Sequence, residues 1–399
     1  MRIDVTLGWL GSAVLAALAS GVVTFNAFSE ESHPVRIGVL LAVLIALHLM
    51  RYPRLAIPRE IVLYLAFLGY LLLSLLWTEN RPLAGDTMIL IVNFLLVMIL
   101  FSALITFHDR RPVLSGYVAG FLAAALLYSR ISGYPFVYPE GFSYNSIAGM
   151  YLFGLILVMI AGWHFGRTLL PLLMGTVLVL LIAATTSIKT NVGIGLGLIA
   201  AAMFYFPSIS GFARRYALPF VALLAILAYA VLSSAALFER VEAGYTRVST
   251  GVEILIARED ETGATELGAR EEWKDAGIRG WVANPVFGYG VEAFRNDIGI
   301  TSHSTPIDLL YNSGAIGLVL FYSLLGSILW RLRGARSASR RGLFAMIFAV
   351  LVCYAFITLS GTMYYDYFMA AFVATSASLI PRWRPQPHSA PDAAPLAAR

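Results

Sequence analysis

The sequence predicts an all-α integral membrane protein of about twelve transmembrane helices, with one long loop between helices nine and ten. Three observations predict it. The 399 residues are 59% hydrophobic and only 13% charged, with a mean hydropathy of +0.77. A soluble domain keeps roughly a quarter of its residues charged, so the solvent around this chain is lipid. The apolar residues fall in runs near the ~20 residues needed to cross ~30 Å of hydrocarbon. Finally, basic residues recur at every second connection.

The runs occupy approximately 7–28, 36–50, 60–77, 87–107, 113–129, 145–163, 168–186, 191–207, 217–238, 306–330, 342–361 and 363–380. Arg2 and the following stretch, with Ala17-Leu18-Ala19, have some features of a cleaved signal peptide. The apolar run continues through Val22, Val23 and Phe25, so a retained first span is expected. Arg51, Arg54 and Arg59 follow span two, Arg110-Arg111 span four, His164 to Arg167 span six and Arg214-Arg215 span eight. Arg331, Arg333, Arg336, Arg340 and Arg341 follow span ten, and Arg382 and Arg384 span twelve. The positive-inside rule then puts both termini in the cytoplasm. The net charge of +5 is thus a topology signal, and no nucleic-acid partner is implied.

The opposite side receives short loops at 29–33, 78–86, 129–143, 186–190 and 360–364 and one long segment at 239–305. That segment holds twelve of the 23 acidic residues, and a loop so long in a compact protein is usually functional. The chain divides into helices one to nine (1–238), this loop with interfacial helices (239–305), helices ten to twelve (306–380) and a Pro/Ala-rich tail expected to be disordered in the cytoplasm (381–399). Cys353 is the one cysteine, so an intramolecular disulfide and a cysteine metal cluster are ruled out.

Candidate chemistry lies on the loop side. "ELGAREEWKDAGIRGW" has helical spacing, with Arg270, Trp273 and Lys274 on one side and Trp281 within about 80° of Trp273 around the axis. This fits an interfacial helix with tryptophans at headgroup level; a solvated, salt-bridged helix fits too, since Glu266 and Arg270 are four apart. In "NPVFGYG", Pro285, Gly288 and Gly290 make a turn; lacking a following Lys and Ser/Thr, it is only a weak phosphate-loop signal. In "SHSTPIDLLYNSG", Thr305 as N-cap, Pro306 as N1 and Asp308 as N3 resemble a capping box opening span ten. His303 then stands just outside the positive end of a long helix, which favours neutral imidazole and nearby anions. It is a candidate base, the alternative being a polar interfacial residue. Arg130, at the end of span five, and Lys189, between spans seven and eight, are cations close to hydrocarbon and so functional candidates; for Arg130 the alternative is snorkelling to headgroups.

Together "NPVFGYGVEAF" and "HSTPIDLLYNSGAIGLVLF" resemble the C-terminal signature of the O-antigen ligase and O-antigen polymerase family, a Gly-x-Gly turn, a His-Asn/Ser pair and an apolar helix with Gly-x-x-Gly. "AREEW" is similar to that family's Arg before a Trp, and "FSYNSIAGMYL", with Asn145, to its Asn-x-x-Ala segment. The resemblance implies a GT-C-like glycosyltransferase facing the periplasm, without metal or other cofactor. Such enzymes take a glycan from undecaprenyl pyrophosphate and pass it to lipid A–core (ligases) or to a second lipid-linked repeat (polymerases). It implies His303 and Arg270 as catalytic residues. Lys189, Arg130, Arg279, Trp273, Gly288, Gly290 and Asn145 are candidates for binding substrate. Two departures stand out. "SIKTN" puts Lys189 where many members have arginine, which loses the bidentate fork onto phosphate. Gly317 occupies a position where some ligases have Asn, Thr or Tyr. A transporter of lipid-linked glycans is the rival class; neither an internal repeat nor ionisable residues at span midplanes speak for it.

Overall fold

The computed structural model describes residues 2–26, 34–132, 144–166, 169–185, 187–205, 266–334 and 341–380. The expected span at 217–238, the loop up to residue 265 and the tail 381–399 lie outside the described residues. Among those described, every regular element is an α-helix. The first half of the chain forms α1 (Arg2–Asn26), α2 (Pro34–Arg51), α3 (Arg59–Ser74), α4 (Arg81–Phe107), α5 (Arg110–Ser132), α6 (Tyr144–Phe165), α7 (Leu169–Ala184) and α8 (Ile188–Tyr205). Then come α9 (Glu266–Ala283), α10 (Ala293–Ile298), α11 (Thr305–Gly334), α12 (Arg341–Thr358) and α13 (Tyr367–Leu379).

Six of the described helices, α1, α2, α4, α5, α6 and α11, are long and apolar enough to cross a membrane. Other apolar runs make shorter helices. The 16 residues of α3 and of α7 rise about 24 Å each, and the 13 of α13 about 20 Å. The expected run at 363–380 starts four residues early, because the Asp366 carboxylate caps α13 by accepting from Met369 N at 2.7 Å. From Tyr367 to Ala377 every side chain of α13 is buried, so this helix carries apolar residues on every side because protein surrounds it.

Packing follows the sequence closely. On α1 and α5, Ala13 and Ala17 face Gly116 and Gly120, and a methyl group at Gly120 would stand 2.8 Å from Ala17 Cα. Small residues four apart on both helices allow this close crossing, the usual solution in lipid. On α2, Leu41, Leu44 and His48 point inward while Val35, Val39, Val43, Leu47 and Met50 are exposed. With apolar residues on both faces, the outward one is left for lipid.

The connections gather at two ends. At the basic end, Arg51 Nη1 donates to Gly8 O at 2.9 Å, and buried Glu60 pairs with Arg331 at 3.0 Å. His48 Nδ1 is 3.0 Å from His108 Nε2, and His108 Nδ1 is 2.8 Å from Ser12 Oγ. His48 Nε2 lies 3.0 Å from Arg54 O, a carbonyl that only accepts, so this nitrogen carries hydrogen. Burial, and then the charges of His48 and Arg51, push His108 down to about 4. At the other end, the connection after α3 meets the turn after α9, and the first residues of α8 and α11 meet the connection after α12; the candidate site stands there.

Candidate active site

Helix α11 is broken one-third of the way along. Gly314 has φ 61 and ψ −166, which releases carbonyls before it and amides after it from the helical ladder. The turn after α9 takes them up. Tyr289 N donates to Tyr311 O at 3.0 Å and Gly290 N to Asn312 O at 2.7 Å, while Ala315 N donates to Pro285 O at 2.9 Å and Ile316 N to Val286 O at 3.4 Å. Tyr70 Oη reaches Ser313 O and Phe287 O, both at 3.0 Å. Irregular backbone at a membrane helix survives only where its polar groups find such partners.

This splice explains both glycines of "NPVFGYG". Gly288 (φ 67) lies against the peptide units of Asn312 to Gly314, and Gly290 (φ 103) against Thr78. What these glycines make room for is the chain itself. Helix α9 then lies over the start of α11. Gly277 faces Ile307 and Phe294, and Gly280 faces the Tyr311 ring. Trp273, Tyr289 and Ile307 pack around Phe294 and Tyr311 in a small cluster separate from the main core.

His303 sits at the rim of this arrangement, half-buried, with its ring centroid 6.1 Å from that of Trp273. Its φ of 52 is sparsely populated by non-glycine residues, and such strain clusters at functional sites. Buried neighbours hold it on both sides. Ser302 Oγ accepts from Ser304 N at 3.2 Å and lies 3.2 Å from Asp308 Oδ1.

The expected capping box does not form. Thr305 is the first residue of α11, and its hydroxyl donates to Gly361 O at 2.6 Å and accepts from Met363 N at 2.9 Å. The Asp308 carboxylate, 5% exposed, accepts from Tyr364 Oη at 2.7 Å and Asn312 Nδ2 at 3.2 Å. Both side chains tie α11 to the loop after α12 in place of a local cap. Asn312 passes the link on, its Oδ1 accepting from Phe294 N at 2.8 Å.

Lys189 approaches the same loop. Its Nζ donates to Ser360 O at 3.0 Å, and a Cβ on Gly361 would stand 2.8 Å from that nitrogen. Gly361 is also where Thr305, two residues after His303, is anchored. Asn145 is exposed at the start of α6 and accepts from Ser187 Oγ at 2.9 Å, which places it two residues from Lys189. Arg130 is exposed in the last turn of α5 and Arg279 is exposed on α9; nothing in the described contacts brings either to His303. Position 270 stands one turn ahead of Trp273 in α9; its side chain lies outside the described residues.

Sequence reasoning missed two residues. Glu292, 5% exposed at φ 62, accepts from Thr87 Oγ1 at 2.9 Å. Burial raises its pKa above the ordinary carboxylate value, against the pull of the Thr87 hydrogen bond and Arg295. Asp308, a cap by its spacing, is instead the hub that joins α11 to the loop after α12. No protein-family model matches this chain, and no curated protein matches it either.

Proposed function

We propose that this protein is a lipid-linked glycan transferase, and specifically an O-antigen ligase. In this reading its twelve-span, GT-C-like body holds both termini in the cytoplasm and turns the site to the periplasm of a bacterial inner membrane. The observation that carries it is the meeting of Lys189 and the His303 seam on one loop, at Ser360 and Gly361. A cation and an imidazole near one end of an apolar bundle support a reading in which the first meets a phosphate leaving group and the second acts as base. The likeness of 284–294 and 303–321 to the O-antigen ligase and polymerase signature supports the same reading.

In the proposed reaction His303 removes the proton of an acceptor hydroxyl of lipid A–core. That oxygen attacks the anomeric carbon of the first donor sugar, inverting it, as the bond to pyrophosphate breaks. Undecaprenyl pyrophosphate leaves, its charge countered by Lys189 and Arg270; no metal is needed. Incubating the purified protein with an undecaprenyl-pyrophosphate-linked glycan and lipid A–core is the test, with extended lipid A–core as the expected product. Absence of any new covalent product would sink the reading in favour of a transporter.

One observation favours the polymerase alternative. Gly317 is covered by the Ser313 side chain one turn earlier, so the larger residues some ligases carry there do not fit without rearrangement. A second arm, offering another lipid-linked repeat as acceptor, separates the two.

A further inference from the structure

Beside the splice lies a cavity of about 260 Å³ that the proposed chemistry does not use. Trp77 and Tyr289 give it aromatic wall, and Asn80, Asn284, Asn296 and Asp297 give it polar wall, with Glu79 completing one side. Its volume is below that of a drug-sized pocket and suits one small ring.

The hydrogen bonds of the lining decide what it offers. Asn284 Nδ2 gives one of its two hydrogens to Gly288 O at 2.7 Å, Asn80 Nδ2 one to Asn296 Oδ1 at 3.1 Å and Asn296 Nδ2 one to Asp297 Oδ1 at 3.1 Å. Tyr289 Oη donates to Gly280 O at 3.2 Å, and Tyr311 Oη holds Asp297 Oδ2 at 2.7 Å. Each lining amide keeps a second N–H to donate, while Asn284 Oδ1 and the Glu79 carboxylate keep acceptor capacity. The lining holds two carboxylates and no Lys, Arg or His. A phosphate would be repelled there. A calcium ion, which takes six to eight oxygen ligands, would find one of the two carboxylates already engaged and two aromatic faces where ligands should be. A neutral ring whose hydroxyls both donate and accept, and whose C–H groups lie against the Trp77 and Tyr289 wall, suits this lining.

We infer that this cavity is a subsite for one uncharged sugar ring. The inference rests on the glycan-transferase reading. The cavity adjoins the C-terminal end of α9, and Trp273, beside His303, is ten residues back from Ala283, or about 15 Å along the helix. It thus holds a sugar remote from the reacting one. Binding energy at such a distance selects a glycan without taking part in bond cleavage.

Full-length protein in lipid nanodiscs is tested by saturation-transfer NMR against four probes: the methyl glycosides of glucose, galactose, N-acetylglucosamine and glucuronic acid. At least one of the three neutral probes should receive saturation at its ring protons, and the glucuronide should receive none. Trp77→Ala should abolish the signal and Trp77→Phe should keep it; should Trp77→Ala fail to fold, exposed Asn296→Ala should weaken the signal at least severalfold. No signal from any neutral probe, equal binding of the glucuronide, or signals indifferent to these substitutions would each overturn the subsite. Because the probes are free sugars, the result stands apart from transfer. Product formation without sugar saturation removes the subsite alone, and saturation without product removes the transferase reading alone.

Discussion

Gly288 presses on the peptide unit that joins Asn312 to Ser313: a methyl group on its Cα would stand 2.6 Å from the Asn312 carbonyl carbon and from the Ser313 amide nitrogen. The two residues belong to separate elements, and the contact lets the turn after α9 take up hydrogen-bonding groups left over by the break at Gly314. Gly288→Ala adds a left-handed backbone penalty of about 1–2 kcal/mol to an overpacking cost of about 1–3 kcal/mol. Destabilisation of about 2–5 kcal/mol is expected, read as a lower melting temperature of the purified protein. An unchanged melting temperature would show that the splice is not tightly packed.

His303 is expected to act as a base, so its loss should lower turnover by roughly 10²–10⁴-fold. The backbone decides which variant tests this cleanly. At φ 52 asparagine is well tolerated and alanine is not, so His303→Asn keeps the loop while removing the basic nitrogen. Activity of the parent should fall on the acid side as the ring takes up a proton. Near-normal turnover by well-folded His303→Asn would mean that the residue only positions the acceptor.

Lys189 donates to a backbone carbonyl in a tight space beside Gly361. Lys189→Ala should lose most activity if this cation meets the leaving pyrophosphate. Lys189→Arg should retain activity, since its fork adds a second hydrogen bond to phosphate. Parent-like transfer by Lys189→Ala would remove it from the site.

At the basic end, folded His108 titrates near 4 and an unfolded histidine near about 6.5. Between these values the unfolded chain binds a proton that the folded chain refuses, so stability is full above about 6.5 and falls as pH drops towards 4. Melting temperatures of the parent and His108→Gln across that range should diverge, with the flatter profile in the variant. Parallel profiles would assign the acid loss to other groups.

Sidedness has its own measurement. Native Cys353 is buried, so single cysteines report alone. Asn296→Cys, at the site end, should react with an impermeant reagent in cells with a permeabilised outer membrane, and Arg54→Cys, at the basic end, should be shielded. The reverse pattern would turn the proposed site towards the cytoplasm.

The sequence by itself determined the all-α membrane class, because hydropathy is a sum over neighbouring residues and needs no tertiary partner. The alternation of basic and non-basic connections likewise sorts Thr78, Lys189, His303 and Gly361 to one side; in the structure Thr78 packs against Gly290 and Lys189 against Gly361, and Thr305, two residues after His303, bonds Gly361. It also marked His303 as a residue at a helix start. Tertiary structure decided how the helix ends are used. Asp308 reads as a cap from spacing alone, yet it bonds Tyr364, 56 positions away. Glu292 reads as one acid among many, yet Thr87, 205 positions earlier, holds it in the interior. The break at Gly314 was equally hidden, since "NSGAIG" inside an apolar run looks like continuous helix until the turn at 284–290 supplies its partners. Local sums fix which segments are helical and which end faces which, whereas a polar group's partner is set by distance in space, and one sequence does not contain that distance.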